Sequence, residues 1–274
     1  MKYTRPALRW HGGKWLLAPW IIKQFPPHRI YTEAYGGGAS VLIRKSRAYS
    51  EVYNDLDGEV VNLFRVLQSP EAARLQELLT LTPFSRTEFE RAYEETTDEV
   101  ERARRLVIRS FMGYGSNSCN ADRSTGFRAS SNRPGTTPAH DWAHYPDALP
   151  ALIERFRGVV IESRPAAEVL EAHDSSDTLH YVDPPYVHSA RQKGNLENYA
   201  FEMSDEDHRD LARILRGLRG GVIVSGYATD LYDKDLFASW HRAHRAHRAD
   251  GALDRTEVLW INDKAWNATD NLPL

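Results

Sequence analysis

Two kinds of apolar pattern share this chain. Short runs of β-branched and aromatic residues at 30–33, 159–162, 179–182 and 221–224, and one ending at Val52-Tyr53-Asn54-Asp55, each stop at a turn or a polar residue and predict strands. Apolar residues recur every three or four positions over 149–156, 166–172 and 205–218, which predicts helices, the last started by Ser204. Between residue 57 and about residue 146 the strand-like runs disappear. Helical periodicity over 59–67, 70–79, 85–93 and 98–112 replaces them, with Ser69, Ser85 and Asp98 as start signals. Residues 113–138 carry glycine, serine, asparagine, proline and arginine with few apolar anchors, which predicts a loop able to order on a partner. The pattern predicts an α/β fold: a doubly wound, mostly parallel sheet built from 1–58 and 147–274, with a mainly helical insertion over 59–146.

Candidate chemistry collects at the predicted strand ends. The run Ile30-Tyr31-Thr32-Glu33 is followed by Gly36-Gly37-Gly38 and then by a helix start from Ala39, the strand, turn and helix of a nucleotide-binding unit. Side chains at those glycines would block close approach of a cofactor to the backbone. Asp55 falls roughly 20 residues further on, the spacing of an acid that grips ribose hydroxyls. The turn lacks both spaced glycines and a Gly-Lys-Ser/Thr ending, which argues against a dinucleotide or a nucleoside triphosphate. Upstream, Arg9-Trp10-His11-Gly12-Gly13-Lys14 puts an aromatic, a glycine pair and a cation in one loop. That set suits a small zwitterionic ligand with an aromatic ring, but read bare it fits a surface loop better.

The run 179–182 leads into Asp183-Pro184-Pro185-Tyr186 at the carboxyl edge of a predicted strand, where open α/β sheets bind ligands. The Asp183 carboxylate can accept a hydrogen bond from one N–H of a planar exocyclic amine, and the carbonyl of Pro184 from the other. The prolines fix φ and remove donors, so the turn presents acceptors. Tyr186 offers a face on which a base can stack. Taken alone, the tetrapeptide fits a strand ending in a Pro-Pro turn as well as it fits a site.

Composition narrows the class. The 274 residues suffice for a sizeable core, and the single cysteine, Cys119, excludes an internal disulfide framework. No apolar stretch is long enough to span a membrane and the amino terminus lacks a signal pattern, so a monomeric, cytoplasmic protein is expected. The net charge of −3 hides an asymmetry: an acidic stretch over 88–101 is followed by Arg102, Arg104, Arg105, Arg109, Arg123, Arg128 and Arg133, opposed only by Asp122. The helical arginines fit a face with its own ion pairs as well as a nucleic-acid face; the loop arginines Arg123, Arg128 and Arg133 are the stronger candidates for nucleic acid. In the run His241-Arg242-Ala243-His244-Arg245-Ala246-His247-Arg248 an arginine follows each histidine and no further ligands are in reach, so a solvated hairpin that touches phosphate is expected there and no metal.

With these residues in view, the chain resembles the Dam-type adenine-specific DNA methyltransferases, which use S-adenosylmethionine to methylate the N6 amine of adenine. The matching segments, in the family's order, are Trp10 to Lys14, Glu33 to Ser40, Asn54-Asp55, Asp183 to Tyr186, and Glu257-Val258-Leu259-Trp260. Two departures are present: Ala34-Tyr35 replaces a common Pro-Phe, and Ser225-Gly226 stands where Ser-Asn is common.

The resemblance implies a Rossmann-like methyltransferase sheet whose helical insertion is the target-recognition domain, with double-stranded DNA as partner and S-adenosylmethionine as cofactor. It implies cofactor contacts from Trp10 and from Lys14, facing the methionyl carboxylate, with Glu33, Gly36 and Gly38 beside the methionine half and Asp55 on the ribose. Asp183 is implied at both cofactor and target amine, with Pro184 and Tyr186 completing the catalytic turn around a flipped adenine. The same chemistry on RNA or on a glutamine amide, a non-catalytic nucleic-acid-binding regulator and a nicotinamide oxidoreductase are the alternatives. The last lacks its glycine fingerprint.

Overall fold

The computed structural model describes residues 3–120, 125–130, 132, 135–187, 201–248 and 254–270. Among the described residues seven strands form one sheet: β1 (Ile30–Glu33), β2 (Ser50–Asn54), β3 (Val159–Glu162), β4 (Thr178–Val182), β5 (Gly221–Tyr227), β6 (His241–Arg248) and β7 (Asp254–Ile261). Their order is β3-β2-β1-β4-β5-β7-β6. The first five in this order pair in parallel; β7 runs antiparallel to both β5 and β6. The predicted runs are thus strands of a mostly parallel α/β sheet, and the chain order reverses between β1 and β4, the point at which such sheets open a crevice.

The chain divides into two compact units. One comprises Leu16–Gly36, Lys45–Leu56 and Gly158–Leu274 and holds the whole sheet with helices α1 (Ala18–Ile22), α9 (Ala166–Ala172), α10 (Asp205–Gly217) and α11 (Asp263–Asp270). Its apolar core gathers Leu170, Val182, Leu211, Leu215, Val222, Val224, Tyr232, Phe237 and Trp260. Ser204 starts α10 with a reciprocal capping box to Asp207, as the sequence signals. A buried ion pair lies in this unit: Lys45 Nζ stands 2.6 Å from Glu51 Oε1 and 4.4 Å from the centroid of the Tyr31 ring.

The other unit comprises Met1–Trp15, Gly37–Arg44 and Asp57–Arg157. It is helical, with α2 (Ser40–Arg44), α3 (Gly58–Gln68), α4 (Ala72–Leu81), α5 (Arg86–Arg91), α6 (Glu99–Met112), α7 (Pro138–Ala143) and α8 (Leu149–Phe156). Residues 59–146 therefore share this unit with 147–157 and two earlier segments. Helix α8 is fixed to α3 by the stacked rings of Phe64 and Phe156, 4.2 Å apart, and by a Gln68 side chain donating to the Phe156 carbonyl. Ser85 and Asp98 cap α5 and α6 as expected. Ser69 serves both neighbours: its N–H bonds the Val66 carbonyl and closes α3, while its Oγ accepts from Glu71 N–H and its carbonyl from Ala72 N–H at the start of α4, which begins beyond Glu71. The polar stretch after α6 has an anchor that its composition hides. Phe127 pairs with Gly113 in an isolated bridge and packs its ring 5.0 Å from that of Phe84. Cys119, in the same stretch, is buried, and burial pushes its thiol up to about 11, so it is an inert packing residue. Among the described residues no helix is long and apolar enough to cross a membrane.

One buried polar cluster makes the fold pH-sensitive. His180, on β4, is fully buried between Thr32 Oγ1 at 2.8 Å and Asp174 Oδ1 at 3.2 Å. Burial holds its pKa below the usual 6.5 despite the opposing pull of Asp174. The unfolded chain thus takes up this proton at a higher pH than the folded one. Its stabilising contribution is complete above pH 6.5 and is lost as pH falls from there through the lower native value. Urea denaturation across pH should show stability declining below pH 6.5, and His180→Gln should flatten that decline. His28, shifted the same way by burial, will leave a residual slope.

Candidate active site

The carboxyl ends of β2, β1 and β4 are neighbours in the sheet, and each delivers one motif residue. Glu33 ends β1 opposite Tyr181 of β4, two positions before Asp183. Glu33 is buried, with the Tyr31 hydroxyl donating to its Oε2 at 2.9 Å. Asp55 follows β2 and is half-buried. Asp183 and Tyr186 are half-buried just beyond β4, and Pro184 between them is buried. Burial raises the Tyr35 hydroxyl pKa, with Asp207 and Asp55 adding to the effect, so it stays a neutral donor.

A single amide holds this edge in register. The Asn54 side chain donates to the carbonyls of Ala34 and Arg164 at 2.9 and 3.0 Å and accepts from the Arg164 N–H at 3.0 Å. Its own backbone carbonyl accepts from Gly36 N–H at 2.8 Å. The loops after β1 and β3 are thereby tied to the end of β2. Gly36 must be glycine for a packing reason, since a Cβ there would stand 2.1 Å from the buried Tyr53 ring.

Tyr186 is clamped from two sides. Its ring centroid lies 4.4 Å from that of Tyr227, and its hydroxyl donates to Glu257 Oε2 at 3.3 Å. Glu257, fully buried on β7, also accepts from the Ser225 hydroxyl at 2.6 Å. Gly226, at the position where the resemblance has asparagine, leaves a gap that a Cβ would fill at ordinary contact with Trp260, Tyr232 and Tyr186.

The helical unit carries the remaining assigned residues. Its Gly37, at φ +45°, lies under the Trp10 indole, where a Cβ would come within 2.5 Å of Nε1; one at Gly38 would meet the Trp10 Cβ at 3.0 Å. Lys14 is buried, with Nζ donating to the Gly12 carbonyl at 3.0 Å. Arg128 is drawn into the unit: its N–H bonds the Met112 carbonyl at 2.7 Å and its guanidinium lies 3.9 Å from Asp141. Arg123 and Arg133 fall outside the described residues. The arginines of α6 are committed to acids: Arg102 and Arg109 to Glu59, Arg104 to Glu88 and Glu101, Arg105 to Glu101. Among the described residues no group of three or more His, Cys, Asp or Glu could hold a metal ion.

Comparison with known families decides the class: the sequence model of the D12 class N6 adenine-specific DNA methyltransferases matches residues 10–249. The chain belongs to this family. The Dam-type resemblance is borne out, and the protein is an adenine-specific DNA methyltransferase. A comparison with curated proteins returned no match. Within the methyltransferase, sequence reasoning placed Asn54 and Glu257 in motif segments without a role, and passed over Ser225 and Tyr227 as side chains of the site. An amide or acid at the end of an apolar run reads as a solvated terminus; only the β5–β7 register, Tyr227 opposite Glu257, shows the acid turned to Tyr186.

Asn54→Ala removes a buried amide with three partners and should cost about 1–3 kcal/mol for each backbone group left unpaired. Urea denaturation should show the loss. Asn54→Asp, whose second carboxylate oxygen has no proton to donate to the Ala34 and Arg164 carbonyls, should recover none of it.

Proposed function

We propose that the methyltransferase transfers the methyl group of S-adenosylmethionine to the N6 amine of an adenine flipped out of duplex DNA, at the edge formed by Asp183, Pro184 and Tyr186. The observation that carries the reading is the position of this turn, directly after β4 and beside β1, where the strand order reverses. The donor set beside it fits the cofactor by its chemistry: Glu33 suits an ammonium group and Asp55 a ribose diol, with Gly36 three residues after Glu33 and bonded through its N–H to the carbonyl of Asn54, the residue before Asp55. Trp10, Lys14 and Gly38 take the cofactor contacts that the resemblance implies. The sulfonium of the bound cofactor supplies an electrophilic methyl group.

The protein's part is positioning. Asp183 accepts one N–H of the adenine amine and the Pro184 carbonyl the other, which turns the nitrogen lone pair toward the methyl carbon. Formation of the N–C bond would leave the bonding electron pair with the cofactor, which would supply only the methyl group. The amine becomes cationic, and its proton leaves along the hydrogen bond to Asp183. A base inside a duplex cannot reach this turn, so adenine must leave the stack at a cost of a few kcal/mol. The Tyr186 ring, braced by Tyr227 and Glu257, offsets part of it by stacking. In this reading 59–146 is the target-recognition domain, and Arg123 and Arg133 contact DNA, while Arg128 is held against Asp141 within the unit.

Asp183→Ala should lower kcat by about 10²-fold or more, as loss of one preorganised catalytic hydrogen bond does, in a protein that melts as the parent does. Near-parental turnover on genomic DNA with methyl-labelled cofactor refutes the mechanism. At Tyr186 the ring and hydroxyl separate: Tyr186→Phe should keep most activity, while Tyr186→Ala should lose roughly 1–3 kcal/mol of target-base stabilisation. Fluorescence of 2-aminopurine placed at the target reads the flip. Equal loss in both variants transfers the role to the hydroxyl and its bond to Glu257.

A further inference from the structure

Strand β6 is the sheet's edge and carries the His-Arg run. Residues opposite one another in adjacent strands share a face, and so do residues two apart along a strand. The pairs Tyr227 with Glu257, Arg245 with Glu257 and His247 with Arg255 therefore place Tyr227, Arg245, His247 and Arg255 on one face of the β5-β7-β6 edge. That face is continuous with the catalytic turn. From Tyr186 the ring contact passes to Tyr227 at 4.4 Å, then to the His247 ring at 6.4 Å, while the Arg255 guanidinium stands 5.7 Å from the Tyr227 centroid.

The charges on this face differ from those of α6. Each α6 arginine has an acid partner, and Arg242, on the opposite face of β6, lies 3.4 Å from Asp233. Arg245 and Arg255 form no salt bridge among the described residues, and Arg245 is exposed. Glu257, opposite Arg245, is fully buried and accepts from Ser225 and Tyr186. An arginine resting on an aromatic ring is already ordered and loses little freedom when it binds a phosphate. Arg255 also lies past residue 249, where the family match ends.

We propose that Tyr227, Arg245, His247 and Arg255 form a contact strip for the backbone phosphates of the DNA strand beside the flipped adenine. The inference rests on the adenine position proposed at Asp183 to Tyr186. Rotating a nucleotide out of the stack displaces its flanking phosphates, and a cationic strip next to Tyr186 holds them in that position. The rival account of the same residues is that cations on an edge strand prevent pairing with another chain.

The test measures duplex affinity across a salt series for the full-length protein and for Arg245→Gln, Arg255→Gln and the double variant, on a duplex the enzyme methylates and on one of random sequence. Each phosphate contact contributes about 0.9 to the slope of log affinity against log salt. Each single variant should lower the slope by about one and the double variant by about two, weakening both duplexes alike. A double Arg→Lys variant, which keeps the charge, should restore the slope. A parental slope in the double Gln variant overturns the strip; if that variant also self-associates by light scattering, the edge-guarding account replaces it. Because the slope is read on binding alone, its result is separate from the fate of the proposed function, which falls if the parent protein methylates no DNA.

Discussion

The Asn54 side chain is the constraint on which the carboxyl edge of the sheet, the candidate active site, depends. Parallel strands deliver residues to one edge of a sheet, but they do not fix the loops that leave it, and loops with unpaired backbone groups drift. Here one buried amide satisfies an N–H and two carbonyls from the loops after β1 and β3, while its backbone carbonyl holds Gly36. With the strand ends locked, Glu33 and Asp55 cannot change their spacing without breaking a buried hydrogen bond. Rigid scaffolding of this kind lets a site work by positioning.

Charge is distributed by a similar logic. The acidic stretch before α6 looks hostile to DNA in the sequence, yet its acids and those of α3 neutralise the α6 arginines within the same unit. Such partly exposed pairs are each worth little for stability, with a median of about 0–1 kcal/mol. Their consequence is electrostatic: they neutralise positive charge within the helical unit, whereas among the described residues Arg245 and Arg255 form no salt bridge.

The strands were legible because buried parallel strands must be short and continuously apolar, and the turn chemistry after β1 and β4 is specific. Ser85, Asp98 and Ser204 were legible as caps because each competes only for its own helix. Ser69 was legible only in part, because a serine between two helices can serve both, and only the geometry of the turn shows that it closes α3 as well as meeting the first N–H groups before α4. The clamp on Tyr186 was invisible for a deeper reason: Ser225, Tyr227 and Glu257 meet through antiparallel register, and register is a property of paired strands. Phe127 was missed likewise, since one aromatic among polar residues gives no period to detect.

The place of β7 has a consequence for how the protein is made. It lies between β5 and β6 in the sheet although it follows both in the chain, so the edge of β5 stays open until residues near 261 have been synthesised. The Glu257 carboxylate that grips Tyr186 arrives on that same strand. A nascent chain can therefore assemble the first five strands while Tyr186 lacks its buried partner. The grip on Tyr186 is thus completed only once β7 has been made and has paired with β5.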